Sequence, residues 1–196
     1  RSHTAIASMH QSAAQPQVNL YLVGFMGTGK TTVGRALAQR LRMTFLDVDS
    51  EVERLAGMTI AEIFDREGES AFRRRERDVI MVGHAPTGCI VSCGGGLILQ
   101  EGIVAELRRR GVVICLTATP ETILLRTANN RNRPLLNVPD PAARVREMLL
   151  RREPLYREAG TQVLTDFRPL PEIIAHVQRV YVREAREFVP PSPAQT

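Results

Sequence analysis

The sequence predicts an α/β fold of three layers, with a parallel β-sheet lying between two layers of helices. Three observations predict it. Short apolar runs alternate with stretches whose apolar residues recur at helical spacing, and such alternation sets strands in parallel with helices over both faces. The first apolar run leads into a glycine-rich loop that opens a helix. Aspartates, glycines and threonines follow the ends of other runs, and sheets of this kind bind ligands beyond the carboxyl ends of their strands.

Each element follows in order. Residues 19–25 are short and apolar, so they read as a buried strand. Residues 31–42 carry Val33, Ala36, Leu37 and Leu41 at helical spacing. A second strand is expected over 43–47, then helices over 50–55 and 59–66, the latter opened by the capping-box pattern Thr59-Ile60-Ala61-Glu62. A longer helix covers about 70–82. Residues 88–92 form a third strand ending in Gly94-Gly95-Gly96. A helix near 102–110 leads to a fourth strand over 112–116. Pro120 opens a helix ending near Thr127, and 129–141, with three prolines, reads as a mobile loop. A helix over about 142–152 and a fifth strand over 162–165 follow. Pro171 starts a last helix with Ile173, Ile174, Val177, Val180 and Tyr181 on one face. One domain is expected over 18–187, with 1–17 a disordered lead-in or expression remnant and 188–196 a disordered tail.

Composition narrows the function classes. A chain of 196 residues that is 43% hydrophobic buries a core without disulfides. Cys89, Cys93 and Cys115 lack metal-ligand spacing and read as buried, reduced thiols. His3, His10, His84 and His176 also lack it. No run approaches the ~20 apolar residues of a membrane span, and the first residues have no apolar leader, so a cytoplasmic place is expected. The net charge is +5, but its arginines fall in short scattered groups and form no contiguous stripe for nucleic acid. Scattered arginines suit small anions, because the guanidinium fork grips phosphate and carboxylate at two points.

Four motifs carry chemistry. Gly24-Phe25-Met26-Gly27-Thr28-Gly29-Lys30-Thr31, between a strand and a helix, is a complete Walker A loop. Its backbone N–H groups and the helix dipole cradle phosphate, Lys30 supplies charge to the transferring phosphoryl group, and the Thr31 hydroxyl meets Mg²⁺. Gly27, Thr28, Gly29, Lys30, Thr31 and Thr32 are therefore the expected ATP contacts, with Mg²⁺ accompanying ATP as co-substrate. Asp47 and Asp49, two apart on an extended strand end, face the same way and serve a metal, a proton, or both; a helix cap is the alternative. Gly94, Gly95 and Gly96 permit close backbone approach to a ligand, where a plain tight turn needs only one glycine. Arg73 stands three residues before Glu76, so a solvated helix face with an ion pair competes with a binding role. Arg126 and Arg133 bracket the mobile loop, which suits closure over a phosphate.

Taken in order, these residues resemble the shikimate kinase family. The resemblance runs through Leu22–Gly34, Phe45-Leu46-Asp47-Val48-Asp49, Ile63-Phe64-Asp65-Arg66-Glu67-Gly68-Glu69, Phe72-Arg73-Arg74-Arg75-Glu76, Gly94-Gly95-Gly96, Arg133-Pro134-Leu135-Leu136 and Arg152-Glu153-Pro154-Leu155-Tyr156. It implies five parallel strands in the order 2-3-1-4-5, a substrate-binding region over about 47–76, a lid over about 127–141, and a monomer. It implies phosphorylation of the shikimate 3-hydroxyl by ATP, with Lys30, Asp49 and Arg133 catalytic. Asp47 resembles the residue that reaches Mg²⁺ through water. Asp49 resembles the one that binds shikimate hydroxyls and takes the attacking proton. Arg73 and Arg152 resemble the pair that grips the shikimate carboxylate, with Gly94–Gly96 beside it. Arg133 resembles the lid arginine, while Arg126 and Arg168 resemble adenine contacts. Cys93 stands where family members vary, a place that would make the site sensitive to thiol reagents. Two other readings stay open: a related small-molecule kinase such as a gluconate kinase, and a nucleotide-dependent switch or nucleic-acid-binding protein.

Overall fold

The computed structural model describes residues 17–128 and 136–191. Five strands form one sheet, all in parallel, in the order β2-β3-β1-β4-β5. They are β1 (Asn19–Val23), β2 (Thr44–Asp47), β3 (Cys89–Ser92), β4 (Gly111–Thr117) and β5 (Thr161–Leu164). The helices between and after them are α1 (Lys30–Leu41), α2 (Val48–Ala56), α3 (Ile60–Glu67), α4 (Glu69–Val82), α5 (Ile103–Arg110), α6 (Pro120–Thr127), α7 (Pro141–Ala159) and α8 (Leu170–Glu187), with a 3-10 turn at Leu97–Leu99.

The period-2 alternation of β1 divides the core. Leu20 and Leu22 face a cluster made with α1 and α8, while Tyr21 and Val23 face a second cluster with α2, α4, α5 and α7. Burial on both faces is why β1, β3 and β4 read as continuous apolar runs. Thr59 and Glu62 form the reciprocal capping box at α3. Among the described residues no helix is long and apolar enough to cross a membrane.

Three elements differ from expectation. First, β2 stops at Asp47 and α2 begins at Val48, so Asp49 sits in a first helical turn and not on a strand end. The cause is local: Asp47 Oδ1 accepts from the Ser50 N–H at 3.1 Å, and that cap turns the chain. Second, α7 continues past Arg152 to Ala159 with Pro154 inside it. Pro154 costs a helical hydrogen bond, but burial of Tyr156 and Ala159 beyond it carries the helix through. Third, Gln17 is tied into the fold, its carbonyl accepting from the Gly88 N–H at 2.6 Å. Of the expected loop 129–141 and lid 127–141, residues 129–135 lie outside the described residues, as do 1–16 and 192–196.

At the amino ends of the strands, Gln17 and Val18 share a cleft with Phe188 and Pro190. The Tyr181 hydroxyl donates to Val18 O at 2.7 Å there. Among the described residues the functional motifs lie at the opposite, carboxyl edge.

Candidate active site

The phosphate cradle forms where β1 ends. The chain turns at Gly24 (φ 139°), loops through Gly29, and enters α1 at Lys30. Thr28 Oγ1 donates to Phe25 O at 2.8 Å and draws the loop tight. Lys30 is only 8% exposed, and its ammonium donates to Gly24 O and Phe25 O, both at 2.9 Å. The ammonium thus lies across its own loop, where phosphate oxygens would offer stronger acceptors than carbonyls.

At the second residue of α1, Thr31 Oγ1 donates to Asp47 Oδ2 at 2.6 Å and lies 3.3 Å from Ser92 Oγ at the end of β3. Asp47 therefore acts as both helix cap and site carboxylate. Three oxygen-bearing side chains from α1, β2 and β3 meet here, and hard oxygen donors suit Mg²⁺. Among the described residues no group of three His, Cys, Asp or Glu forms a metal cage. Mg²⁺ keeps waters and binds substrate phosphates alongside one or two carboxylates. A cleft of about 320 Å³ opens over these groups, lined also by Thr32, Asp49, Gly94, Gly95 and Arg126.

Beyond the cleft lies a cationic corner. Arg73, 17% exposed at its side chain, pairs with Glu76 at 2.6 Å and Glu69 at 2.9 Å. Its guanidinium rests on Gly96, where a Cβ would lie 2.3 Å from Nη2. Arg152 lies with its guanidinium carbon 5.7 Å from the Phe25 ring centroid, on the P-loop. The Tyr156 hydroxyl donates to Gly95 O at 2.5 Å. Burial pushes this phenol up to about 12, against the opposing pull of Arg152 and, less, of Arg73. The structure thus gathers Arg73 and Arg152 around the Gly94–Gly96 turn.

Glu76 is the least exposed charged group of the site, at 0%. Its Oε2 takes the Arg73 pair and a 3.5 Å contact from Gln100 Nε2, while its buried Oε1 takes no hydrogen bond among the described residues. Burial pushes its carboxyl up to about 7; Arg73 opposes this, and Asp49 and Glu69 add to it. Gly94 explains the geometry. A Cβ there would lie 2.1 Å from Glu76 Oε1 and 2.9 Å from Asp49 Oδ1, so two carboxylates converge on a point that only glycine leaves clear.

On the far side of the cradle, Arg126 donates to Gly27 O at 3.2 Å, to Thr165 Oγ1 at 3.0 Å and to Thr165 O at 3.0 Å. It bridges the P-loop to the end of β5. Asp166 accepts from the Thr119 N–H at 2.9 Å and the Thr119 hydroxyl at 2.9 Å. Its burial is outweighed by hydrogen bonds from Thr122 and Thr119, which hold its carboxyl below the usual range. Arg168 does not join this group; its Nη1 lies 3.0 Å from His176 Nδ1. Arg133 lies outside the described residues. Cys93 lines the cleft but is 1% exposed, and burial pushes its thiol far above the usual range, which argues against a reactive role. Arg109 and Arg110 both pair with Glu106, as a solvated helix end would.

The sequence reading missed Ser92 and treated Glu76 only as a surface partner. A serine closing a buried apolar strand just before three glycines was the available signal for Ser92. Nothing local marked Glu76 as buried.

The pattern of residues that describes shikimate kinases matches residues 26–181 of this sequence. The chain belongs to the shikimate kinase family. A shikimate kinase of Caldanaerobacter subterraneus subsp. tengcongensis is 41% identical over 165 residues, covering 84% of this chain and 96% of that one. A solved shikimate kinase from Acinetobacter baumannii, in complex with shikimate, is 39% identical with a TM-score of 0.80, covering 86% of this chain and 94% of that one. A gluconokinase from Sinorhizobium meliloti, 18% identical with a TM-score of 0.54, shares the fold alone. It covers 88% of this chain and 95% of its own. For this shikimate kinase family member, then, the gluconate reading has likeness of fold behind it and nothing more.

Proposed function

We propose that this protein transfers the γ-phosphoryl group of ATP to the 3-hydroxyl of shikimate, giving shikimate 3-phosphate and ADP. One observation carries the reading. The phosphate cradle of Lys30 and Thr31 and the arginine corner of Arg73 and Arg152 open on neighbouring parts of one sheet edge, with Asp49 lining the cleft over the cradle. A polyanion and a small hydroxy acid fit those two halves. Family membership and the shikimate in the Acinetobacter baumannii relative support the choice of acid.

Each residue then has a task. Lys30 leaves the carbonyls of Gly24 and Phe25 for the phosphate oxygens and neutralises their charge. Asp49 orients the acceptor hydroxyl and takes its proton as the new O–P bond forms. Arg73 and Arg152 hold the carboxylate, and the Gly94–Gly96 backbone lies against the ring. Arg126 holds the nucleotide end, with Arg133 closing over the phosphates. Thr31 and Asp47 would hold Mg²⁺, which when bound adds charge neutralisation at the β- and γ-phosphates. Phosphoryl transfer needs chiefly alignment and charge, so no side-chain nucleophile is required. A monomer acting in the cytoplasm completes the proposal.

The test is ADP release with a panel of hydroxy acids. Turnover that depends on shikimate and is weak with gluconate is expected. Equal ATP turnover with and without shikimate would sink the reading.

A further inference from the structure

Glu76 stands out as a buried ionisable group to which the transfer itself assigns no task. On α4 it faces Arg73 and Glu69. From α2 comes Asp49, whose Oδ1 faces the same point beside Gly94 as Glu76 Oε1. From the end of β3 comes the Cys93 thiol, on whose ionisation Glu76 acts. After the 3-10 turn, Gln100 Nε2 donates to Arg73 O at 3.0 Å and reaches Glu76 Oε2 at 3.5 Å. Arg73 is thus the cation that compensates Glu76, and the pair is closed off from solvent on the Glu76 side.

Resting on the assignment of Arg73 as the group that receives the substrate carboxylate, we infer that Glu76 takes up one proton from solvent when that carboxylate binds. The arriving anion shares the Arg73 guanidinium and adds a negative charge near two carboxylates that already converge. A like charge nearby disfavours the ionised form, and weakening of the Arg73 pair acts in the same direction. Glu76 is the carboxyl best placed to give way: its solvation is gone, and its Oε1 takes no hydrogen bond among the described residues that neutralisation would sacrifice. Burial already pushes its carboxyl up to about 7, so a further rise moves its protonation across neutral pH. Glu76 is a positioning residue in this scheme. As a carboxylate it restrains Arg73, and as a carboxylic acid it releases Arg73 to the substrate.

The sign follows from linkage. Binding that takes up a proton weakens as pH rises. Shikimate affinity therefore holds steady below about pH 6 and falls above 7, by at most about tenfold per pH unit. The test is calorimetric titration of shikimate into the wild-type protein at pH 6, 7 and 8, each in buffers of differing ionisation enthalpy. Proton uptake near zero at pH 6, rising to more than half a proton per shikimate at pH 8, is expected. Glu76→Gln should abolish both the uptake and the pH slope of Kd, which loss of packing alone would not do. Shikimate binding with no buffer dependence at pH 7 and 8 overturns the inference yet leaves the proposed substrate standing. So does uptake that persists in a folded Glu76→Gln protein. Absence of any shikimate binding or phosphorylation overturns the substrate reading, and this inference with it. The wild-type titration is decisive even if the variant does not fold.

Discussion

Gly94→Ala adds one methyl group at the point where Glu76 and Asp49 converge. The backbone there is not in the left-handed region, so alanine meets no conformational barrier, and its cost is contact alone. The new Cβ would lie 2.1 Å from Glu76 Oε1, more than an ångström inside normal contact, and 2.9 Å from Asp49 Oδ1. Glu76 is fully buried and held by Arg73 at 2.6 Å, so it cannot swing into solvent to yield. Overpacking of this kind costs about 1–3 kcal/mol, and partial loss of a buried ion pair adds to it, since complete loss costs about 3–5 kcal/mol. A total of roughly 2–4 kcal/mol is expected, and with a urea m-value of about 2 kcal/mol/M the midpoint falls by roughly 1–2 M. The assay is urea denaturation of four proteins: wild type, Gly94→Ala, Glu76→Ala and the double variant. If the clash with Glu76 is the cause, Gly94→Ala in the Glu76→Ala background costs under about 1 kcal/mol, a coupling beyond the scatter of independent sites. An equal penalty in both backgrounds would refute the reasoning.

Other outcomes follow from the same geometry. Lys30→Ala should keep its urea midpoint within reach of wild type but lose roughly 10²–10³-fold in kcat, the scale of one lost charge-stabilising donor; normal turnover in a folded variant would contradict the cradle. Arg152→Ala should raise the KM for shikimate roughly 10- to 100-fold, matching one charged hydrogen bond of about 1.5–3 kcal/mol. Steady-state kinetics should show a much smaller change for ATP. Glu76, raised to about 7 when folded, contributes stability that is full below its unfolded value of 4.5 and is lost as pH rises through 7. Wild type should thus lose roughly 3 kcal/mol relative to Glu76→Gln between pH 4.5 and 8, measured by denaturation at each pH. The three buried cysteines should resist a thiol-specific dye in the native state and react only on unfolding.

The layout of the sheet was legible because both of its faces are covered. Burial on two sides writes an unbroken apolar run, and the helices between write a 3.6-residue period. The cradle was legible because its chemistry depends on residue type at fixed spacing. The rest depended on contacts distant in sequence. Asp49 was assigned a strand-end geometry because one hydrogen bond, from Ser50 to Asp47, decides where β2 yields to α2. The helix through Pro154 was cut short because proline disfavours a helix locally, and burial of Tyr156 against the Gly95 turn and of Ala159 reverses that. Glu76 read as half of a surface pair, because nothing near it in sequence says that Gly94 and Gln100 will close over it. Arg168 shows the converse: a suitable residue in a suitable segment whose side chain turns to His176.

The cleft at the amino ends of the strands brings Gln17 together with Pro190, while the P-loop and the Gly94–Gly96 turn issue from the other edge. Where two stretches so far apart in the chain adjoin, a short bridge can connect them without crossing the molecule. The order in which the strands are threaded is then separable from the arrangement they adopt. A circularly permuted chain, bridged between Gln17 and Pro190 and opened at the exposed turn near Gly57, would keep every residue of the cleft on the same strand end.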